Sequence, residues 1–465
     1  MRLLLLVMLL GITQLTPAWA ADRYQVEGYL LPNGLQVVLK PGTEPGHVAI
    51  RLVVGVGFDD FGCAQQELPH LLEHLMFSGL DARGEGGLEE RMQALGGEWN
   101  AFTGSTDTTY VIEAPSRNQR KVLDLLLAAI TQTRIDQQAL DTAKAIVTRE
   151  DGGHASHLQT WLDHQDFGHG ASDQLAIELG VKCNERPSVD ALTLEQINAV
   201  RKEWYAPNNM SLIMVGKLDK LLPAYLERAW GELQPVEPAE HPDSTLVRGS
   251  AEPRRELIQG WLGDSARLHW YFVEPVLDDV PDQAFDLVQR YLDWTLYQDL
   301  RLAHGLSYGP SSQRDAFGDT GLLSLNADLD RSDIATAERI LAQRVEQLRR
   351  DGMDPATFAR LKQAALDHQA WAIQGDSGLA DYYWGALSDY TDGRFTDPAV
   401  TLRTVTLAQA NQALKALLAD KPYVRVEKPL LSYDELNQWL MIAAAVLAGL
   451  VIGGAILAAR RRRPS

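Results

Sequence analysis

The chain has 465 residues, with 43 basic and 62 acidic side chains and a formal net charge of −19. So acidic a balance argues against nucleic acid or an anionic lipid surface as a partner; it serves solubility or favours basic peptides. The length allows two domains with their own cores. The two cysteines, Cys63 and Cys183, fit no close Cys or Cys/His metal pattern, and whether they pair stays open because sequence gives no distance.

Residues 1–20 open with Arg2, pass through an apolar run at 3–12 and end in Ala18, Trp19 and Ala20. That pattern is a secretory signal peptide cleaved before Ala21. Residues 30–39 read as the start of a hairpin turned at Asn33 and Gly34. Residues 47–55 read as a half-buried strand through Val48, Ile50, Leu52 and Val54. After a polar loop at 59–66, Pro69 suits the first turn of a helix that carries Leu72 and Leu75, reaches Phe77 and stops near Gly79. A second helix covers 88–95, Gly96 and Gly97 break it, and 98–103 and 108–114 form two strands. From 116 to 149 the positions Val122, Leu125, Leu126 and Ile130 recur with helical spacing. Helices continue to Trp204, past a group of polar histidines (154, 157, 164, 169) read as solvent-facing, and 209–215 returns to a strand ending at Gly216.

The segment 235–253, rich in Pro, Glu, Ser and Asp, reads as a linker between an N-terminal domain at 21–234 and a second domain at 254–430. The second domain repeats the pattern: a strand at 268–273, a helix at 282–302, strands within 306–328, then helices to about 418. Strands beside helices in each half give an α+β architecture. Residues 439–459 carry no charge, and at about 1.5 Å per residue they reach roughly 31 Å, enough for a transmembrane helix. Arg460 to Arg463 follow, which predicts a cytoplasmic basic tail at 460–465 and a body facing outward, in a bacterial inner membrane toward the periplasm. Between the two ends, 38 of the 43 basic residues face all 62 acidic ones.

The chemistry centres on His70-Leu71-Leu72-Glu73-His74, inside the first predicted helix. Histidines four apart share one helical face, so both imidazoles can reach a single ion while Glu73 leans toward the same spot. Zinc takes nitrogen and oxygen ligands tetrahedrally, and a catalytic site keeps one position for water, so a third protein ligand is needed from elsewhere. By itself the motif also suits two histidines on an ordinary helix, exposed or satisfied in the core.

Around it, the chain resembles the pitrilysin/insulinase family of inverted-motif zinc peptidases, in its two-domain, processing-peptidase-like subgroup. The likeness rests on the His70–His74 motif, on LPNGL at 31–35, GFDD at 57–60, FSG at 77–79, GGEWNA at 96–101, YAPNNM at 205–210, Val215-Gly216, and RLAHGLSY at 301–308. It runs from about residue 29 to 325 and more faintly to about 420. The resemblance implies Glu150, in the run AIVTRE at 145–150, as the third zinc ligand beside His70 and His74. It implies Glu73 as general base toward a zinc-activated water, and Arg301 and Tyr308 as a pair from the second domain that stabilises the oxyanion or holds substrate. Asn100 and Ala101 would lie on an exposed strand edge that pairs with an extended peptide. One departure stands out: Ala143 occupies a position where the family usually has an acidic residue.

The fold so implied is two homologous α+β domains, each an antiparallel sheet packed with helices, forming half of a clam-shell chamber and followed by the transmembrane helix. The function implied is a membrane-tethered zinc metalloendopeptidase cleaving peptides or unfolded small proteins, its chamber completed as a homodimer or with a homologous subunit. The alternative is a non-catalytic or partner-dependent subunit of a heterodimeric peptidase or assembly complex.

Overall fold

The computed structural model describes residues 22–77, 79–80, 85–150, 170–183, 189–237, 249–318 and 320–461. The expected signal peptide, residues 462–465 of the basic tail, 238–248 of the expected linker and the histidines at 154, 157, 164 and 169 lie outside the described residues.

The first sheet has six strands, β1 (Glu27–Leu30), β2 (Gln36–Pro41), β3 (His47–Val54), β4 (Glu98–Thr103), β5 (Thr108–Pro115) and β6 (Met210–Gly216), in the order β1-β2-β6-β3-β5-β4. The second has five, β7 (Arg254–Ile258), β8 (Ser265–Val273), β9 (Ser311–Phe317), β10 (Thr320–Asp330) and β11 (Tyr423–Lys428), in the order β7-β11-β8-β10-β9. Without β1, the two orders are the same when each strand of the first half is matched to its successor in the second. Both sheets are mixed, which corrects the expectation of purely antiparallel ones. Strands β2 and β6 pair in parallel, as do β7 and β11. In each case the last strand returns after a long helical excursion, which permits parallel entry, whereas neighbours joined by short turns must run antiparallel.

The helices of the first half are α1 (Leu68–Met76), α2 (Glu85–Ala94), α3 (Gln119–Gln132), α4 (Gln137–Glu150), α5 (Ala171–Glu178), α6 (Leu194–Trp204) and α7 (Leu222–Ala229). Those of the second are α8 (Gln283–Leu296), α9 (Ile334–Asp351), α10 (Pro355–Ala372), α11 (Gly375–Gly385), α12 (Pro398–Thr404), α13 (Leu407–Leu417) and α14 (Tyr433–Arg461). The duplication reaches down to local signals. Helix α6 starts at Thr193 with Gln196 three residues on, and α13 at Thr406 with Gln409; in both, threonine and glutamine cap each other's backbone amides.

Strand β3, read as half-buried, is buried on both faces. One face meets its own core, where Ile50, Leu52 and Val54 join Leu71, Leu72 and Leu75 of α1. The other is covered by α11 from the second half, whose Ala380 and Tyr383 pack on Val38, Ala49, Val53, Ile213 and Val215. The reverse exchange covers the second sheet: Ala171 and Leu175 of α5 pack on Leu257, Tyr271 and Leu322. A buried arginine pins each exchange. Arg51 of β3, 1% exposed, reaches Asp381 of α11 at 2.7 Å. Arg425 of β11, fully buried, reaches Glu178 of α5 at 2.5 Å and Gln174 at 2.7 Å.

The Asn33-Gly34 turn differs from the short hairpin expected. Five residues join β1 to β2, and Asn33 turns inward to donate to the carbonyls of Trp230 (2.9 Å) and Leu233 (3.0 Å) just after α7. Gly34 takes φ +89°, the left-handed region that glycine tolerates. The pairing of Cys63 and Cys183, left open by sequence, is formed, with their Cα atoms 5.7 Å apart, and it ties the loop before α1 to the segment after α5.

Helix α14 begins six residues before the predicted span, because Ser432 and Glu435 cap each other across its first turn and Arg331 holds Glu435 at 3.1 Å. Its stretch Tyr433–Ile456 is long and apolar enough to cross a membrane by length and composition, and none of that window is buried against the rest of the chain.

Candidate metal centre

Helix α1 is amphipathic in an unusual sense. Pro69 sits in its first turn, and Leu71, Leu72 and Leu75 face the core fully buried, which leaves His70 and His74 together on the half-exposed side. Helix α4 ends at Glu150 beside them, held there by Leu140, Ala143 and Val147 on its buried face. Ala143 is therefore a core contact in this chain, at 4% exposure.

His70 Nε2 and His74 Nε2 lie 3.3 Å apart, and each lies 3.3 Å from Glu150 Oε2. Three lone-pair atoms at mutual separations of 3.3 Å match a tetrahedral zinc: bonds of about 2.0–2.1 Å put two ligands roughly 3.3–3.4 Å apart. The donor set, two imidazoles and one carboxylate, is that of a three-ligand zinc site. The residues present fit the ion.

The surroundings orient these ligands. Glu67, one turn before His70, accepts from its Nδ1 at 2.8 Å, which turns Nε2 toward the cluster. Burial alone lowers the His70 pKa, but the Glu67 hydrogen bond and the charges of Glu67, Glu73 and Glu150 overcome it, and the net shift is upward. Glu73 is 8% exposed and accepts a hydrogen bond from the Thr103 hydroxyl at 2.7 Å. Behind it, the Tyr110 and Tyr205 hydroxyls meet at 2.9 Å; burial first and the Glu73 charge after it raise both phenols well above the usual range, Tyr205 raising Tyr110 further while the hydrogen bond from Tyr110 offsets part of the rise at Tyr205.

Thr103 closes β4, and β4 is an outer strand of the first sheet, paired on one side only among the described residues, with Asn100 opposite Val111 and Ala101 opposite Tyr110 of β5. Asn100 is exposed and its side chain accepts from the Ala101 amide at 2.9 Å. The edge that carries Asn100 and Ala101 thus ends on the residue that holds Glu73.

Arg301 and Tyr308 come together with each other. Arg301 lies in a π-helical turn, Tyr297–Ala303, its guanidinium 4.4 Å from the Tyr308 ring and 2.7 Å from the Tyr308 carbonyl oxygen, while the Tyr308 side chain is 84% exposed. Among the described residues, no hydrogen bond or ion pair joins them to His70, His74 or Glu150. Sequence reasoning missed Glu67, Thr103 and the two tyrosines. Only Glu67 left a local signal, since a carboxylate three residues before a histidine shares its helical face.

Two family models match in sequence order: "Insulinase (Peptidase family M16)" over residues 37–163 and "Peptidase M16 inactive domain" over 191–365. An uncharacterized zinc protease of Mycobacterium tuberculosis is 26% identical over 410 residues, 84% of this chain and 90% of the relative. The mitochondrial-processing peptidase subunit beta of Blastocladiella emersonii is 26% identical over 196 residues, 41% of this chain and 40% of its own length. The solved structure of the periplasmic protease PqqL from Escherichia coli shares the fold at 16% identity with a TM-score of 0.70, covering 87% of this chain and 47% of that one. With one model matching over the half that holds the histidine-glutamate helix and the other beginning just before α6 and running through β6 and β7–β10 into α10, the chain belongs to the pitrilysin/insulinase (M16) family as a two-domain member.

Proposed function

We propose that the chain is a zinc-dependent endopeptidase that cleaves extended peptides or unfolded small proteins on the outer side of a membrane. The observation that carries the reading is the meeting of His70, His74 and Glu150 at 3.3 Å beside the buried carboxylate of Glu73 and the open edge of β4. A peptide that adds to β4 as one more strand is held by its backbone, so recognition reads extension more than sequence. It then runs past Thr103 toward Glu73. Zinc, when bound, acidifies a water and polarises the scissile carbonyl.

His70, oriented by Glu67, and His74 and Glu150 would hold the ion. Glu73 takes the proton from water and returns it to the leaving amine, and the Thr103 hydroxyl fixes the carboxylate's rotamer while it does so. Tyr308, exposed and stacked on Arg301, is the donor suited to the developing oxyanion once substrate draws the second half's loop toward the centre.

The tether is α14, whose apolar side chains from Trp439 to Ile456 are exposed among the described residues. A signal peptide at 1–20 and the Cys63–Cys183 disulfide, which persists in oxidising compartments, support an outward-facing body. The chain matches about half of PqqL, and the Blastocladiella relative is named as a subunit, which supports a second copy or a homologous partner completing the chamber.

The test uses the full chain in detergent with a mixture of unfolded peptides. Cleavage should stop with chelator, return with zinc, and be lost in Glu73→Gln while zinc stays bound. Activity that survives both treatments contradicts the reading, and zinc-loaded wild type that cleaves nothing alone but does so with a homologous subunit assigns it to a heterodimer.

A further inference from the structure

A second cluster of ligand-type side chains lies on the other face of the first sheet, where α11 docks. We infer that Glu44, His47 and Asp376 form a second divalent-cation site, separate from the His70 centre, that clamps α11 of the second half onto the sheet of the first.

His47 opens β3, Glu44 lies in the loop between β2 and β3, and Asp376 is in the first turn of α11. Each carboxylate gives one oxygen to a backbone amide: Asp376 Oδ1 accepts from Thr43 N at 3.1 Å, and Glu44 Oε1 from Asp376 N at 3.3 Å. The other oxygens face the imidazole, Glu44 Oε2 at 3.4 Å and Asp376 Oδ2 at 3.7 Å from His47 Nδ1. Asp376 is 0% exposed, and both its Oδ2 and His47 Nδ1 are buried without a hydrogen-bond partner. A buried carboxylate oxygen left bare is costly, so something belongs between these atoms.

Two occupants are chemically possible, a proton or a cation, and the distances separate them. A protonated imidazole would hold a carboxylate at about 2.7–2.9 Å. Separations of 3.4 and 3.7 Å are too long for that and close to the roughly 3.3–3.4 Å between two ligands of one tetrahedral zinc. On the far side of the ring, His47 Nε2 stands 2.8 Å from Glu113 Oε2, off the ideal hydrogen-bond line but within ion-pair reach, and Arg51 holds the other oxygen of Glu113 at 2.8 Å. A carboxylate beside one ring nitrogen and a carboxylate pair within 3.7 Å of the other, which has no hydrogen-bond partner, is the arrangement of a metal-binding histidine. The backbone is cut to suit: a Cβ at Gly42 would lie 2.1 Å from Asp376 Oδ1, and one at Gly375 would lie 2.5 Å from Glu44 Oε1.

The experiment takes the full chain carrying His70→Ala, which disables the first centre, strips it with chelator and titrates it with zinc alone. Elemental analysis should find about one zinc per chain, and zinc should raise the melting temperature and slow amide exchange over residues 375–385. Loss of an outer partner already weakens zinc sites about 10–100-fold, so His47→Gln in the same background should weaken binding more than about 100-fold. Glu44→Gln, at a half-exposed side chain, gives a second variant whose folding is not at risk. No zinc in the His70→Ala chain, or binding indifferent to both substitutions, overturns the inference. So does a melting temperature that follows pH but not zinc, which would assign the cluster to a protonated His47. Peptidase activity plays no part in the readout, so the outcome is independent of the first centre's role.

Discussion

The two halves of this chain are built on one plan and differ in what the plan carries. In each, a central strand is followed by a helix packed on the sheet, α1 after β3 and α8 after β8, and late in each half a threonine-capped helix leads into a strand that pairs in parallel. Helix α1 presents His70, Glu73 and His74. Helix α8, Gln283–Leu296, has no histidine, and its continuation into the π-turn offers Arg301 instead. The sheet thus sets where a helix lies, and a handful of its side chains decide whether the position offers a set of metal-ligand groups.

The largest expected effect tests that asymmetry at the base. Glu73→Gln should lower kcat by about 10²–10⁴-fold, the range for removing a general base, with zinc content unchanged. Tyr308→Phe comes next. If the second half contributes a donor to the reaction, its loss should cost about 10²–10³-fold in kcat at unchanged melting temperature, since the side chain is 84% exposed. No kinetic change would confine the chemistry to the first half. Glu67→Gln should weaken zinc affinity about 10–100-fold while leaving the helix folded, read by chelator competition.

The smallest effects concern the exchanged helices, where the halves can be compared directly. Glu178 is largely buried against Arg425, whereas Asp381, facing Arg51, is half-exposed. Removing one partner of a buried pair costs about 3–5 kcal/mol, and an exposed partner about 0–1 kcal/mol. Glu178→Gln should therefore destabilise more than Asp381→Asn in denaturant titration. Burial alone raises the Glu178 pKa, but Arg255, Gln174 and Arg425 bring it below the ordinary glutamate value. A depressed carboxylate stabilises the fold above its unfolded pKa and loses that contribution as pH falls through the folded one. Amide exchange over α5 should accordingly rise below about pH 4.5, and an unchanged rate there would remove Glu178 from the account.

Much of the first half was legible because its signals are local. Pro69 before a leucine-spaced run marks α1, paired glycines end α2, and histidines four apart declare a shared face. Glu150 is 76 positions from His74, and only family likeness linked them. Strands β7 and β11 escaped because charged residues break their apolar pattern: Arg254, Arg255 and Glu256 in β7 leave only Leu257 buried, and Arg425 of β11 is buried only because α5 supplies Glu178 from 247 positions away. The half-buried reading of β3 failed for the same reason, since its second cover comes from α11. Parallel pairing leaves no mark in a strand's own residues, and Asn33-Gly34 was given a short-turn role that its contacts with the carbonyls after α7 override.

The claim on which the rest depends is that one ion is held by ligands from two helices of the first half. The most direct measurement is zinc content together with peptide cleavage in the His47→Gln chain, with and without Glu150→Gln. The account predicts about one zinc and full activity without the second substitution and neither with it. A Glu150→Gln chain that keeps both its zinc and its cleavage rate would contradict it.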